Sequence, residues 1–178
     1  MSTDTLLLPV ANELLTCLCD ALIAGDSPET PKPGICCIRV GDSVINDMGE
    51  NFDECCEGLA YVRIAGFYPT ASPGAPFPSP SSDFALNKCA PYAWGLSLEM
   101  GIFRCISSEQ ILCPEWNTIA NLHMSDAKAM RAALCCFMKP RDGGSVSTGA
   151  WTPAPRAGGC IGSTWTITVE VNNRCVTC

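Results

Sequence analysis

Cysteine is the residue type with the most chemistry to offer in this chain: fourteen of 178 residues, with adjacent pairs at Cys36-Cys37, Cys55-Cys56 and Cys135-Cys136. Three kinds of chemistry compete for them: disulfide bonding, metal ligation and thiol redox. Adjacent Cα atoms lie about 3.8 Å apart, below the roughly 4.4–6.8 Å of an ordinary disulfide. Neighbours in a pair therefore do not bond each other, and each must find a separate partner. On a strand, Cys36 and Cys37 point to opposite faces. Structural zinc wants two ligand pairs at short spacing, and only Cys175-Val-Thr-Cys178 has that form. Cys17 and Cys19 lie two apart on a helix and face different ways, and His123 is the sole histidine. A thioredoxin-like role for Cys175 and Cys178 lacks the strand-to-helix context that such motifs need. For any one of the fourteen, the plainer reading is a small buried hydrophobe.

Other constellations give less. Cysteine catalysis needs a base beside the thiol, and His123 falls on the apolar stripe of a helix, where a packed histidine is expected. Gly158-Gly159-Cys160-Ile161-Gly162-Ser163-Thr164 has the glycines of a phosphate loop but no lysine, and it leads into a strand, so it reads as a tight turn. Asp42, Asp47, Glu50, Asp53, Glu54 and Glu57 crowd one stretch without the spacing of a calcium loop and read as a solvated acidic face. No catalytic, cofactor-binding or metal-binding residue is expected, and the chain reads as a non-enzyme. A net charge of −7 with only 11 basic residues argues against phosphate-backbone binding. What remains is a protein that binds other proteins.

The scaffold must be large enough to stand without staples. At 178 residues and 47% hydrophobic the chain is expected to fold as one domain, burying about 70% of its unfolded surface. Disulfides would be additions to such a core, not its precondition. Met1-Ser2-Thr3-Asp4 is acidic, and Pro9, Asn12 and Glu13 interrupt the apolar residues after it, unlike a secretion leader. No apolar run approaches the roughly 18 residues of a membrane span, so no membrane partner is expected.

Periodicity places the positioning elements. Leu7, Val10, Ala11, Leu14, Leu18 and Ala21 recur at helical spacing, with Pro9 near the start and Gly25 just past the end. Residues 26–34 are turn formers, and 35–40 have strand composition. A second strand is expected over Leu59–Tyr68, ending at Pro69, and a third over Tyr92–Ile106, where Trp94, Leu96, Leu98, Met100 and Ile102 alternate with small or polar residues. Between them Thr70 to Cys89, with Pro73, Pro76, Pro78 and Pro80, holds no regular element and reads as a long exposed loop. Glu115–Met138 is helical as one helix or two, Ser125-Asp126 being able to cap a restart. The chain closes with strands over Val146–Thr152 and Ser163–Val171, the latter alternating Trp165, Ile167, Val169 and Val171 with polar residues. The order is helix, three strands, helix, hairpin. Without helices between successive strands there are no βαβ units, so the expected class is α+β: an antiparallel sheet of four to five strands with both helices on one face.

Several blocks carry a family likeness: Cys56-Glu57-Gly58-Leu59-Ala60-Tyr61-Val62-Arg63, Leu98-Glu99-Met100-Gly101-Ile102-Phe103-Arg104-Cys105, Asp126 through Cys136, Gly149-Ala150-Trp151-Thr152-Pro153, and Gly158 through Val169. Together they resemble head-to-tail connection proteins of long-tailed phages that infect actinobacteria, and among these most closely the tail terminator. That resemblance implies a small α+β domain assembling as a six-fold ring. The ring would cap the tail tube, contact the tube protein on one side and the head-side connector or stopper on the other, and let DNA pass through its lumen without specific binding. It implies a virion protein at the head–tail junction, assembled in the host cytoplasm, with no cofactor. A mostly helical adaptor and a β-barrel stopper fit the element order less well. The first 34 residues and the proline-rich loop match no named family. Thr70 to Cys89 and Asp42 to Glu57 are the expected contact regions. Two rivals from other classes are a secreted disulfide-rich binding module, which would have a cleaved leader, and a redox enzyme using Cys175 and Cys178, whose thiol turnover would vanish in Cys178→Ser.

Overall fold

In the computed structural model, which describes residues 6–28, 30–40, 56–70, 93–106, 112–141, 146–157 and 159–171, the N-terminal apolar stripe forms α1 (Leu7–Ala24). Its Ala11, Leu14, Cys17, Leu18 and Leu22 are buried. Pro9 sits in the first turn, where backbone N–H groups have no intrahelical acceptor. By length and composition α1 is apolar enough to cross a membrane, which corrects the expectation that no segment is. Here its apolar face packs into the core instead.

The remaining elements are β1 (Ile35–Arg39), β2 (Leu59–Thr70), β3 (Ala93–Cys105), α2 (Cys113–Met138), β4 (Val146–Ala157) and β5 (Cys160–Val171). They form one five-stranded sheet in the order β1-β2-β3-β5-β4. The class is α+β, as expected, with one correction: the sheet is mixed, because β1 runs parallel to β2, Ile35 pairing with Leu59 and Arg39 with Arg63. A parallel pair needs a connection of about a dozen residues or more, but that connection need not be a helix. Residues 40–58 are long enough. The other three pairings are antiparallel.

Boundaries also move, β4 running on to Ala157 instead of ending at Thr152. β2 continues through Pro69, which is paired with Trp94. Beyond Arg63, among the described residues, β2 pairs with β3 alone, so a residue without an N–H is tolerated near that end of the strand. β5 begins at Cys160 rather than Ser163, so Cys160, Ile161 and Gly162 belong to the strand and not to a turn, and Cys160 pairs with Cys105. α2 is one helix of 26 residues. Asp126 does not cap a restart, because its carboxylate is committed to Arg104. At the start of α2, Pro114 occupies the first turn and the Glu115 carboxylate accepts the Leu112 N–H at 2.7 Å.

Both helices lie on one face of the sheet. Leu14 and Leu18 of α1 and Met130, Leu134 and Phe137 of α2 share a core with Leu96, Leu98, Met100 and Ile102 of β3 and Ile167 and Val169 of β5. The period-two alternation of β3 is thus what lays a continuous apolar strip under two helices. Arg141, just past α2, closes the bundle: its guanidinium stacks over Phe137 at 3.8 Å and pairs with Glu13 of α1.

The opposite face has a smaller buried cluster of Leu59, Tyr61, Phe103 and Cys160. Tyr61 and Phe103 stack with centroids 6.0 Å apart, and each lies across the ladder from a glycine, Tyr61 from Gly101 and Phe103 from Gly162. A Cβ on Gly101 would sit 2.5 Å from the Tyr61 ring carbons. Gly101→Ala is therefore expected to destabilise the fold by about 1–3 kcal/mol through overpacking, read as a lower urea midpoint at unchanged slope. Tyr61→Leu in the same background should recover part of the loss; a neutral Gly101→Ala would refute the packing.

Three disulfides join described residues: Cys17–Cys136 links α1 to α2, Cys19–Cys36 links α1 to β1, and Cys56–Cys105 links the approach to β2 with the end of β3. Cys160 is also disulfide-bonded. Cys37, Cys113 and Cys135 are free thiols. As the geometry of adjacent residues requires, no neighbours among these bond each other: Cys36 and Cys136 each reach another element while Cys37 and Cys135 do not. Cys17 and Cys19 face different ways from α1, each to its own partner.

Candidate interaction surface

The regions expected from sequence to make contacts, Asp42 to Glu57 and Thr70 to Cys89, lie outside the described residues except at Cys56, Glu57 and Thr70, as do Cys175 and Cys178. Among the described residues, no three His, Cys, Asp or Glu side chains converge as metal ligands would. The surface that the described residues do build centres on α2.

From Leu112 to Ser125 no residue of α2 is buried, while Asp126, Met130, Ala133, Leu134 and Phe137 all are. The helix is therefore two halves with different surroundings. Its C-terminal half is core. Its N-terminal half shows apolar side chains to solvent: Leu112 is 61% exposed, Trp116 47% and Met124 55%. Isolated exposed apolar residues are ordinary, but a run along one helix is a patch.

Beside this half lie two tryptophans. Trp151 of β4 and Trp165 of β5 are cross-strand neighbours, on the sheet face that carries the helices. With Met124, Ala127, Lys128 and Arg131 of α2 they line an open groove of about 440 Å³. The Trp165 indole donates to the Gly149 carbonyl at 2.8 Å, on the stretch where the β4–β5 register shifts between Thr148 and Trp151. The Trp151 indole N–H is buried and has no acceptor among the described residues. A buried donor left unmade costs about 1–3 kcal/mol. His123 meets the Trp151 ring edge-on, centroids 6.5 Å apart at 81°. Burial holds its imidazole below the ordinary histidine value, the Asp126 carboxylate pulls it back up and the Arg104 guanidinium lowers it further. His123 thus packs as expected from its place on the stripe, at the margin of the groove.

A comparison with protein-family models and one with curated proteins each find no match. Function is therefore read from the chain's own features.

Two polar networks have no counterpart in the sequence reading. Arg104 is in phase with Leu98, Met100 and Ile102 on the helix face of β3, where a guanidinium cannot stay unpaired. It donates through Nε to Asp126 Oδ2 at 2.8 Å, through Nη2 to Asp126 Oδ1 at 2.6 Å and through Nη1 to the Pro31 carbonyl at 2.6 Å. A signal for it exists: one arginine in an apolar alternation and one aspartate on an apolar helical stripe. On the opposite face Tyr61 donates to Glu99 Oε1 at 2.9 Å, and Arg63 binds both carboxylate oxygens, at 3.2 and 3.0 Å. Burial first and the Glu99 charge second raise the Tyr61 phenol far above its ordinary value, so it is a fixed donor, not a titrating group. The Arg104–Asp126 pair forms part of the wall of an open pocket of about 400 Å³ between the end of α1 and α2, but all three hydrogen bonds of its guanidinium to described residues go to Asp126 and Pro31, and both networks read as structural.

Proposed function

We propose that the chain is a structural protein of the phage neck, a tail terminator that assembles as a ring, caps the tail tube and offers the head its docking surface. The observation that carries the reading is the architecture: two helices on one face of a mostly antiparallel five-stranded sheet, an α+β domain of the kind that the resemblance implies. The resembling blocks are not scattered over it. They fall on the start of β2, the second half of β3, the packed half of α2, and β4 with β5, which supply much of the core, with α1 contributing Ala11, Leu14, Cys17, Leu18 and Leu22 outside them. A family likeness concentrated in core elements supports a shared fold, and the shared fold supports a shared role. No catalysis is assigned.

Native mass spectrometry of the full chain, under reducing and non-reducing conditions, tests the ring. A hexamer is expected in both; a monomer in both overturns the terminator reading. Deleting Ala71 to Ser81 is expected to abolish ring formation or tail joining in the assembling phage, and normal virions from that deletion would count against the loop as a contact.

A second reading, a secreted disulfide-rich binding module, is favoured by one observation, the three bridges among described residues. Export and virion release both end in an oxidising medium. The thiol state inside the producing cell separates them: free thiols until lysis favour the virion protein, bridges formed during transit favour the module.

A further inference from the structure

We infer that the groove between α2 and the Trp151–Trp165 pair is the receiving half of a contact between copies of this chain, and that it takes up the acidic stretch 42–57 of a neighbouring copy. The inference rests on the ring reading and gives it a specific seam.

Chemistry selects the occupant. The groove wall is aromatic and apolar, and its charged lining residues are the exposed cations Lys128 and Arg131. The chain has 18 acidic against 11 basic residues, so a cationic aromatic groove is complementary to the rest of the molecule. Residues 42–57 match it on both counts, with six carboxylates, no lysine or arginine, and apolar Val44, Ile45, Met48 and Phe52 among them. The apolar residues suit Trp151, Trp165 and Met124, and the carboxylates suit Lys128 and Arg131.

Position selects the geometry. The acidic stretch leaves the described fold after β1 and rejoins it at Cys56 before β2, and β1 is one edge of the sheet. The groove lies at β4 and β5, the other edge. The points where the stretch leaves and rejoins the described fold are thus on the far side of the sheet from the groove, and a contact between two unlike regions is heterologous, the kind that repeats around a closed ring. Opposite charges at such a seam speed association and make it salt-sensitive, while like charges set against each other there oppose it strongly.

The test uses the full-length chain at low salt, with mass measured by light scattering after gel filtration. Wild type is compared with Lys128→Glu/Arg131→Glu, with Glu54→Lys/Glu57→Lys, and with an equimolar mixture of the two variants. Lys128, Arg131 and Glu57 are exposed, so folding is expected to be unaffected. Each double variant alone should associate at least about 100-fold more weakly than wild type, and the mixture should regain the wild-type mass, since each variant then offers a half that fits the other. A wild-type mass for the groove variant overturns the inference while leaving the ring intact. Loss in both variants without recovery on mixing also overturns it, because the acidic stretch is then not what the groove receives. A monomeric wild type overturns the ring reading and the inference together.

Discussion

Asp126→Ala is expected to destabilise the fold by about 3–5 kcal/mol, because it leaves the Arg104 guanidinium buried without its counter-charge. Both side chains are close to fully buried, with relative exposures of 11% and 6%, and two of the guanidinium's three hydrogen bonds to described residues go to this one carboxylate. The third, to the Pro31 carbonyl, ties the segment after α1 to the same point. The loss should therefore reach beyond α2, increasing hydrogen exchange between Asp26 and Gly34 as well. Arg104→Met/Asp126→Leu, which removes both charges and keeps apolar volume, should lie within about 1–2 kcal/mol of wild type, as buried pairs replaced by packed side chains often do. Urea unfolding measures all three proteins. If Asp126→Ala costs under about 1 kcal/mol, the pair does not anchor the fold.

The second large effect is covalent. Cys17–Cys136 closes a span of 119 residues, and the other two bridges between described residues shorten the open loop to about half of that. In the chain-entropy account a loop of that size is worth about 4 kcal/mol. Cys17→Ser/Cys136→Ser under non-reducing conditions should lose that much, a fall in Tm of roughly 8–16 °C for a domain of this size. Cys113→Ser and Cys135→Ser, which remove free thiols exposed on α2, should leave Tm within about 2 °C. With a reductant present, wild type and the double variant should converge. If they already coincide without it, the bridge contributes nothing to stability.

Elements are legible in the sequence wherever side-chain period and burial agree. β3 and β5 alternate cleanly because one side of each faces two helices, and α1 shows its stripe because the whole helix is packed on one side. α2 reads less well. Its stripe runs unbroken in sequence from Trp116 to Phe137, yet burial begins at Asp126, and periodicity cannot tell a core stripe from an exposed apolar one. The parallel β1–β2 pair is not legible, because local patterning says nothing about the direction of a five-residue strand, which is set by how far the connection carries the chain. The groove is invisible for a related reason. Trp151 and Trp165 each look like an ordinary strand apolar residue, and only the β4–β5 register places them side by side. The buried Arg104–Asp126 pair is the most recoverable omission, since a charge in phase with core residues asks for its counter-ion.

Cys17 and Cys19 sit two residues apart on α1, yet one is bonded into the second helix and the other into the edge strand of the sheet. Once both bonds have formed, α1 is fastened within its own chain at two separate elements and cannot be traded for the same helix of a neighbour. Any exchange of N-terminal helices between subunits must come before oxidation. An assembly that has oxidised can dissociate and rejoin only as whole, unswapped protomers.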